Sequence, residues 1–194
     1  MNAREKILNA IAANQPEAVP LPVIDKDTVI SYNDVGMQFN TMLESIGGKA
    51  VCIQDLQVLK ESVNADKATG KFIVNTIEAL GEVDEYVSSL SAAQLEKLEK
   101  AYIKGTVGVA ENGAVWIYES QMLNRLVPFI CQHLVLVIDK KDIVPTMHHA
   151  YAKIDTAQEG FGVFIAGPSK TADIEQSLVI GAHGARSATV YIIE

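Results

Sequence analysis

Along the chain, stretches with apolar residues at every third or fourth position alternate with short apolar runs rich in β-branched residues. This pattern predicts helices and buried strands in succession. Ile7, Leu8 and Ile11 have helical spacing over residues 4–13, and Pro16, Pro20 and Pro22 forbid the helix from continuing. Residues 1–22 are therefore expected to form a helix and a proline-rich arm, ahead of one domain over residues 23–194. Val35, Phe39, Met42, Leu43 and Ile46 line one face of a second helix, which Gly47-Gly48 ends before a strand at residues 49–53. Between residues 55 and 90 the best strand candidate is Phe72-Ile73-Val74. Ser91 with Gln94 makes a capping box and predicts a helix to about Lys100, with Leu95 and Leu98 inward.

Asn112-Gly113 between two apolar stretches predicts a hairpin, with strands near 106–110 and 114–118. A short helix around 122–129, a strand over 133–138 and a helix over 144–154 follow. In the last third, a strand at 161–165, a tight loop at 167–171, a helix at 172–180 and a strand at 188–193 have the order of a βαβ unit. Its two strands are expected to be parallel neighbours. The fold class is α/β, a single domain with a mainly parallel sheet plus an antiparallel hairpin.

The 194 residues suffice for one sizeable core, and 48% hydrophobic with 21% charged residues is ordinary for a globular chain. The net charge of −8 carries no basic cluster, which excludes nucleic acid as an expected partner. The run Leu134 to Ile138 is far too short to span a membrane, and the mixed charge of Met1 to Lys6 does not resemble a secretion signal. A cytoplasmic location is expected. The only cysteines, Cys52 and Cys131, sit in apolar surroundings and are expected to be buried, reduced thiols. An iron–sulfur cluster held by one chain normally takes four cysteines, so no such cluster is expected here, nor a metal site.

The loop 167–171 lies between a predicted strand end and a predicted helix start, where backbone amides favour an anion. Lys170 can add charge there, and Ser169 or Thr171 a hydroxyl. On residue types alone a structural role competes: Ser169 or Thr171 caps the helix while Asp173 and Glu175 compensate its dipole.

Taken whole, Gly167-Pro168-Ser169-Lys170-Thr171 and the residues through Gly181-Ala182-His183-Gly184 resemble the C-terminal signature of the lactate-utilization (LUD) domain family, C type. Other family-like pieces occur in order: Ile7-Leu8, Ala110 to Ala114, Asn124-Arg125-Leu126, His133 to Val137 and Lys141 to Pro145. The resemblance implies the fold of the sugar-phosphate isomerase and CoA-transferase superfamily. It also implies a role in bacterial oxidation of L-lactate to pyruvate alongside iron–sulfur partner subunits, with the clusters held by those partners. One stretch departs from the family: Lys104 to Val109 is shorter than the usual Thr-Gly-Ala-Asp type approach and lacks its acid.

Glu111-Asn112-Gly113 is similar to the Glu-Asn-Gly of related CoA transferases, where the carboxylate is the nucleophile. An acyl-transfer enzyme using Glu111 is the alternative function. Equally, Asn112-Gly113 serves the turn and Glu111 is a solvated neighbour. His183 lies within the family motif and is the second catalytic candidate, or else it caps a helix end. Arg125 can clamp a carboxylate in a bidentate fashion or form a surface ion pair, and His133 at a strand start is a supporting candidate. A third function is a non-catalytic ligand-sensing or assembly module. The expected ligand is a small carboxylate or phosphate, converging with Glu111, Ser169, Lys170, Thr171 and His183 on one cleft at strand ends.

Overall fold

The computed structural model describes every residue except 1, 21, 26–27, 158 and 172–178. The N-terminal helix forms as α1 (Ala3–Ala13), opened by a reciprocal capping box in which Glu5 N–H donates to Asn2 and Asn2 N–H donates to Glu5. None of its residues is buried. Asp34 caps α2 (Val35–Ser45) through Met37 N–H at 2.9 Å. Gly47, at φ +84°, turns the chain back while Gly48 N–H satisfies the Leu43 carbonyl. Phe39 and Leu43 are fully buried on this helix, each worth roughly 1.5–3 kcal/mol of apolar transfer. The next elements are β1 (Lys49–Ile53), α3 (Gln57–Ala68) and β2 (Phe72–Asn75). α3 is polar over most of its surface and contributes only Leu59 and Val63 to the core, which leaves a faint apolar period in the sequence.

The capping box at Ser91 does form, but α4 (Ala92–Leu95) is a single turn. The helix expected to Lys100 is replaced by β3 (Leu98–Lys104), because Leu98, Ala101 and Ile103 are drawn into the sheet between β2 and a later strand. Long-range pairing overrides the local helix signal here. At Gly105 the chain leaves this sheet: its N–H bonds to Val137, and that of Thr106 to Trp116. There follow β4 (Val107–Val109), β5 (Ala114–Tyr118), α5 (Glu119–Met122), α6 (Val127–Ile130) and β6 (His133–Asp139). The helix expected over 122–129 is thus two separate turns, broken where Leu123 adopts φ +60°. The last elements are β7 (Ile143–Val144), α7 (Met147–Lys153), β8 (Gly162–Ala166) and β9 (Ser187–Ile193). α7 starts later than expected because Ile143 and Val144 pair with β4.

Among the described residues the strands form two sheets. One is wholly parallel, in the order β1-β9-β6-β3-β2; the other, β7-β4-β5-β8, contains the expected antiparallel β4–β5 hairpin. The α/β class with a mainly parallel main sheet therefore holds, but the terminal βαβ unit does not. β8 runs antiparallel to β5 in the second sheet, whereas β9 inserts between β1 and β6 in the first. The principal core lies between the layers, with Val74, Ala101, Ile103, Leu134, Leu136 and Ile192 facing Val115, Ile117 and α2. No helix of the described residues is long and apolar enough to cross a membrane. The expected helix over 172–180 lies almost wholly outside the described residues. Ile180, at its end, instead bridges Lys170 in antiparallel fashion.

Candidate functional site

Three turns meet at one end of the second sheet. The β4–β5 turn is made by Asn112 Oδ1, which accepts from Ala114 N–H at 3.1 Å, and by Gly113 at φ +68°. Ala114 pairs with Ala166, so the loop that follows β8 starts beside this turn. Gly167, at φ +70°, lies so close to the end of α2 that a Cβ there would come 3.1 Å from the Ile46 carbonyl oxygen. Glycine is required at Gly113 and Gly167 both by backbone conformation and by this close approach.

The loop after Gly167 is fastened to the segment before β9. Ser169 N–H donates to Ala185, Gly181 N–H donates to Ser169, and Thr171 N–H donates to Val179. The result is a cavity of about 290 Å³ lined by Ser169, Lys170 and His183, with Phe129, Phe164 and Pro168 among its walls. Ser169 and His183, fourteen positions apart, are thus brought together as expected. Among the described residues, the Ser169 hydroxyl, the Lys170 ammonium and the His183 ring have no hydrogen-bond partner and are free to meet an anion. The backbone contribution differs from expectation: the amides of Ser169 and Thr171 are already spent on carbonyls and do not point at the cavity as free donors. Asp173 and Glu175 lie outside the described residues.

The other candidates are placed elsewhere. Glu111 is at the same end of the sheet but does not line this cavity; its carboxylate accepts from Met147 N–H at 2.9 Å, at the start of α7. Thr171 follows Lys170 but is also absent from the lining, its hydroxyl facing Val179 N–H at 3.3 Å. The structure thus places Ser169, Lys170 and His183 around one cavity, with Glu111 and Thr171 outside its lining. Arg125 is at the opposite end of the β5–β8 ladder, held in a bidentate pair with Glu119 (2.6 and 2.9 Å) over the Phe161 ring. The guanidinium holds the Glu119 carboxyl below its ordinary range, and both groups are exposed. His133 bonds Ser187 Oγ at 2.8 Å on the far face of the parallel sheet, beside Lys100 and Tyr102. Of the two cysteines, Cys131 is buried, which pushes its thiol up to about 12, whereas Cys52 is exposed and corrects the expectation of two buried thiols.

A second and larger recess went unseen in the sequence. It has a volume of about 350 Å³ and lies at the carboxyl ends of the parallel strands, lined by Leu56, Thr76, Ile77, Lys104, Val137 and Ile193, with Ser120 at its rim. In open α/β sheets this edge is the usual place for a ligand. Its residues come from six separate segments and share no motif, so no local signal marks them; strand ends in a correctly ordered sheet are the signal that finds them.

A parallel sheet backed by a second sheet, with recesses at strand ends, defines an α/β domain. Comparison with known proteins narrows this. The LUD domain model matches residues 95–193, about half of the chain and the part that carries Ser169, Lys170 and His183; the chain belongs to the LUD domain family. It is 33% identical over 122 residues to the lactate utilization protein C of Geobacillus sp. (strain WCH70), covering 57% of this chain and 51% of that protein. It is 36% identical over 103 residues to the lactate utilization protein C of Anoxybacillus flavithermus, covering 51% and 47% respectively. The chain thus spans about half the length of the curated relatives it matches. A crystal structure of a DUF162 family protein from Deinococcus radiodurans has the same fold, with TM-score 0.59 at 19% identity, covering 86% of this chain and all of that one.

Proposed function

We propose that this chain is a component of a bacterial system that oxidises L-lactate to pyruvate, acting in the cytoplasm with iron–sulfur partner subunits. The observation that carries the reading is the LUD match, together with relatives named lactate utilization protein C. The chemistry is consistent with a division of labour. Lactate gives up two electrons and two protons on becoming pyruvate, so a redox centre must receive the electrons. This chain has two cysteines, Cys52 in β1 and Cys131 after α6, which is short of the thiolate set that normally holds a cluster. In this reading the partners hold the clusters, and the Ser169, Lys170 and His183 cavity holds a small carboxylate or phosphate. His183 is the acid–base candidate within this cavity, Glu111 stands outside it at the same end of the sheet, and the N-terminal helix with its proline-rich arm precedes the domain over 23–194.

The test is reconstitution. The purified chain alone is expected not to oxidise lactate with an artificial electron acceptor, and to support oxidation once combined with iron–sulfur subunits co-purified from the native cell. Within that assembly Lys170→Ala should weaken ligand binding, and His183→Asn, a change in the same cavity, should lower turnover while leaving the fold intact. Robust lactate oxidation by the isolated chain, free of metal and flavin, would overturn the proposal.

A further inference from the structure

The recess at the carboxyl edge of the parallel sheet has the makings of a binding site of its own. Its floor and walls are apolar: Leu56, Ile77, Val137 and Ile193. Two polar features break this lining. The Thr76 hydroxyl is buried and, among the described residues, has no hydrogen-bond partner. A buried hydroxyl without a partner forfeits roughly 1–3 kcal/mol, so it is a group that a bound molecule can satisfy. Lys104, at the end of β3, supplies the cation; it is half exposed and only loosely paired, 3.6 Å from Asp139.

The wall that carries Thr76 is held rigidly. Asn75 is completely buried, and its amide donates to the carbonyls of Ile77 and Glu82 and accepts from Ile77 N–H. Asp84 accepts from Asn75 N–H at 2.8 Å and pairs with Lys67. The loop is therefore positioned before any ligand arrives, which lowers the ordering cost of binding. Charge at the rim limits what can enter. Ser120 already holds the carboxylate of Glu159 through its N–H (2.8 Å) and its hydroxyl (2.6 Å), and Glu78 and Asp139 stand nearby. With one cation among these acids, a dianion such as a phosphate monoester is repelled more strongly than a monoanion whose carboxylate lies directly on Lys104.

We propose that this recess binds a small organic monocarboxylate, with its carboxylate on Lys104, an oxygen on the Thr76 hydroxyl, and its hydrocarbon against Ile77, Val137 and Ile193. It is distinct from the Ser169, Lys170 and His183 cavity and does not rest on a role in lactate metabolism. The test is titration of the ¹⁵N-labelled full chain with sodium butyrate, L-lactate and inorganic phosphate, followed by amide chemical shifts. Butyrate should shift Thr76, Ile77, Lys104 and Val137 saturably, and phosphate should not. Lys104→Gln should weaken butyrate roughly tenfold or more, the scale of a charge-assisted hydrogen bond, and Thr76→Val roughly fivefold. Lys170→Ala should leave it unchanged. Both substituted side chains line the recess, and dispersed spectra of the variants verify folding. Absence of saturable shifts in the recess, or butyrate binding indifferent to Lys104→Gln, overturns the site. Butyrate binding without lactate binding upholds the site and counts against the lactate reading alone.

Discussion

Gly113→Ala probes the turn that joins the two strands nearest the candidate site. Alanine in a left-handed conformation costs roughly 1–2 kcal/mol. At Gly70, which follows α3 with φ +73°, an added Cβ meets nothing within 4 Å, so that cost is the whole effect. At Gly113, with φ +68°, the same Cβ would lie 2.9 Å from both Cα and N of Leu43, in the backbone of α2. A buried helix backbone cannot step aside as a side-chain tip can, so overpacking adds roughly 1–3 kcal/mol. Gly113→Ala should therefore destabilise by about 2–5 kcal/mol and Gly70→Ala by about 1–2. In a chain of this size each kcal/mol lowers the melting temperature by roughly 2–4 °C, so losses of roughly 10 °C and 4 °C are expected. The assay is urea unfolding followed by circular dichroism and by fluorescence of the single tryptophan, Trp116, which sits on β5 just beyond the turn. Equal losses for the two variants would refute the close packing of this turn on α2.

A thiol reagent should modify Cys52 in the native protein and Cys131 only on unfolding, as counted by absorbance before and after denaturant. Burial holds the Cys131 thiol at about 12, whereas an unfolded thiol titrates near ~8.5; the folded state keeps a proton that the unfolded chain loses, so stability should fall as pH rises between those values. Cys131→Ala should remove that part of the decline in a pH series of denaturation curves. Arg125→Gln should leave phosphate-induced shifts at Ser169 and His183 unchanged, because its partner Glu119 is at the other end of the β5–β8 ladder; altered shifts would place Arg125 in the site after all. Incubation with acyl-CoA should leave Glu111 unmodified by mass spectrometry, since its carboxylate faces the start of α7; a thioester adduct there would favour acyl transfer instead.

Much of the secondary structure was legible because its causes are local. Gly47-Gly48 ends α2, and Asn112-Gly113 supplies the one turn that lets β4 and β5 pair, each within a few residues of the signal. The same locality misled at Ser91. Its capping box is real, yet only one turn of helix survives because Leu98 and its successors gain more as a central strand. In the candidate site, Ser169, Lys170 and His183 were expected together because one family-like motif carries them to strand ends; the antiparallel bridge of Lys170 and Ile180 that joins the two segments had no sequence signal. The place of Glu111 was not legible, because whether its carboxylate faces that cavity or α7 depends on where Met147 is brought.

By itself, then, the sequence determined the α/β class, the hairpin and the stop of α2, since each depends on backbone preferences and contacts within a short span; the pairing of the Gly167 loop with the segment around His183 came only with the tertiary structure. The tertiary structure alone decided that β8 and β9 belong to different sheets, that Lys49 lies beside Thr189, and that Thr76, Lys104, Val137 and Ile193 enclose one recess. Those outcomes depend on which apolar faces cover one another across more than a hundred residues. Burial free energy is non-directional and leaves no residue-by-residue mark of its partner.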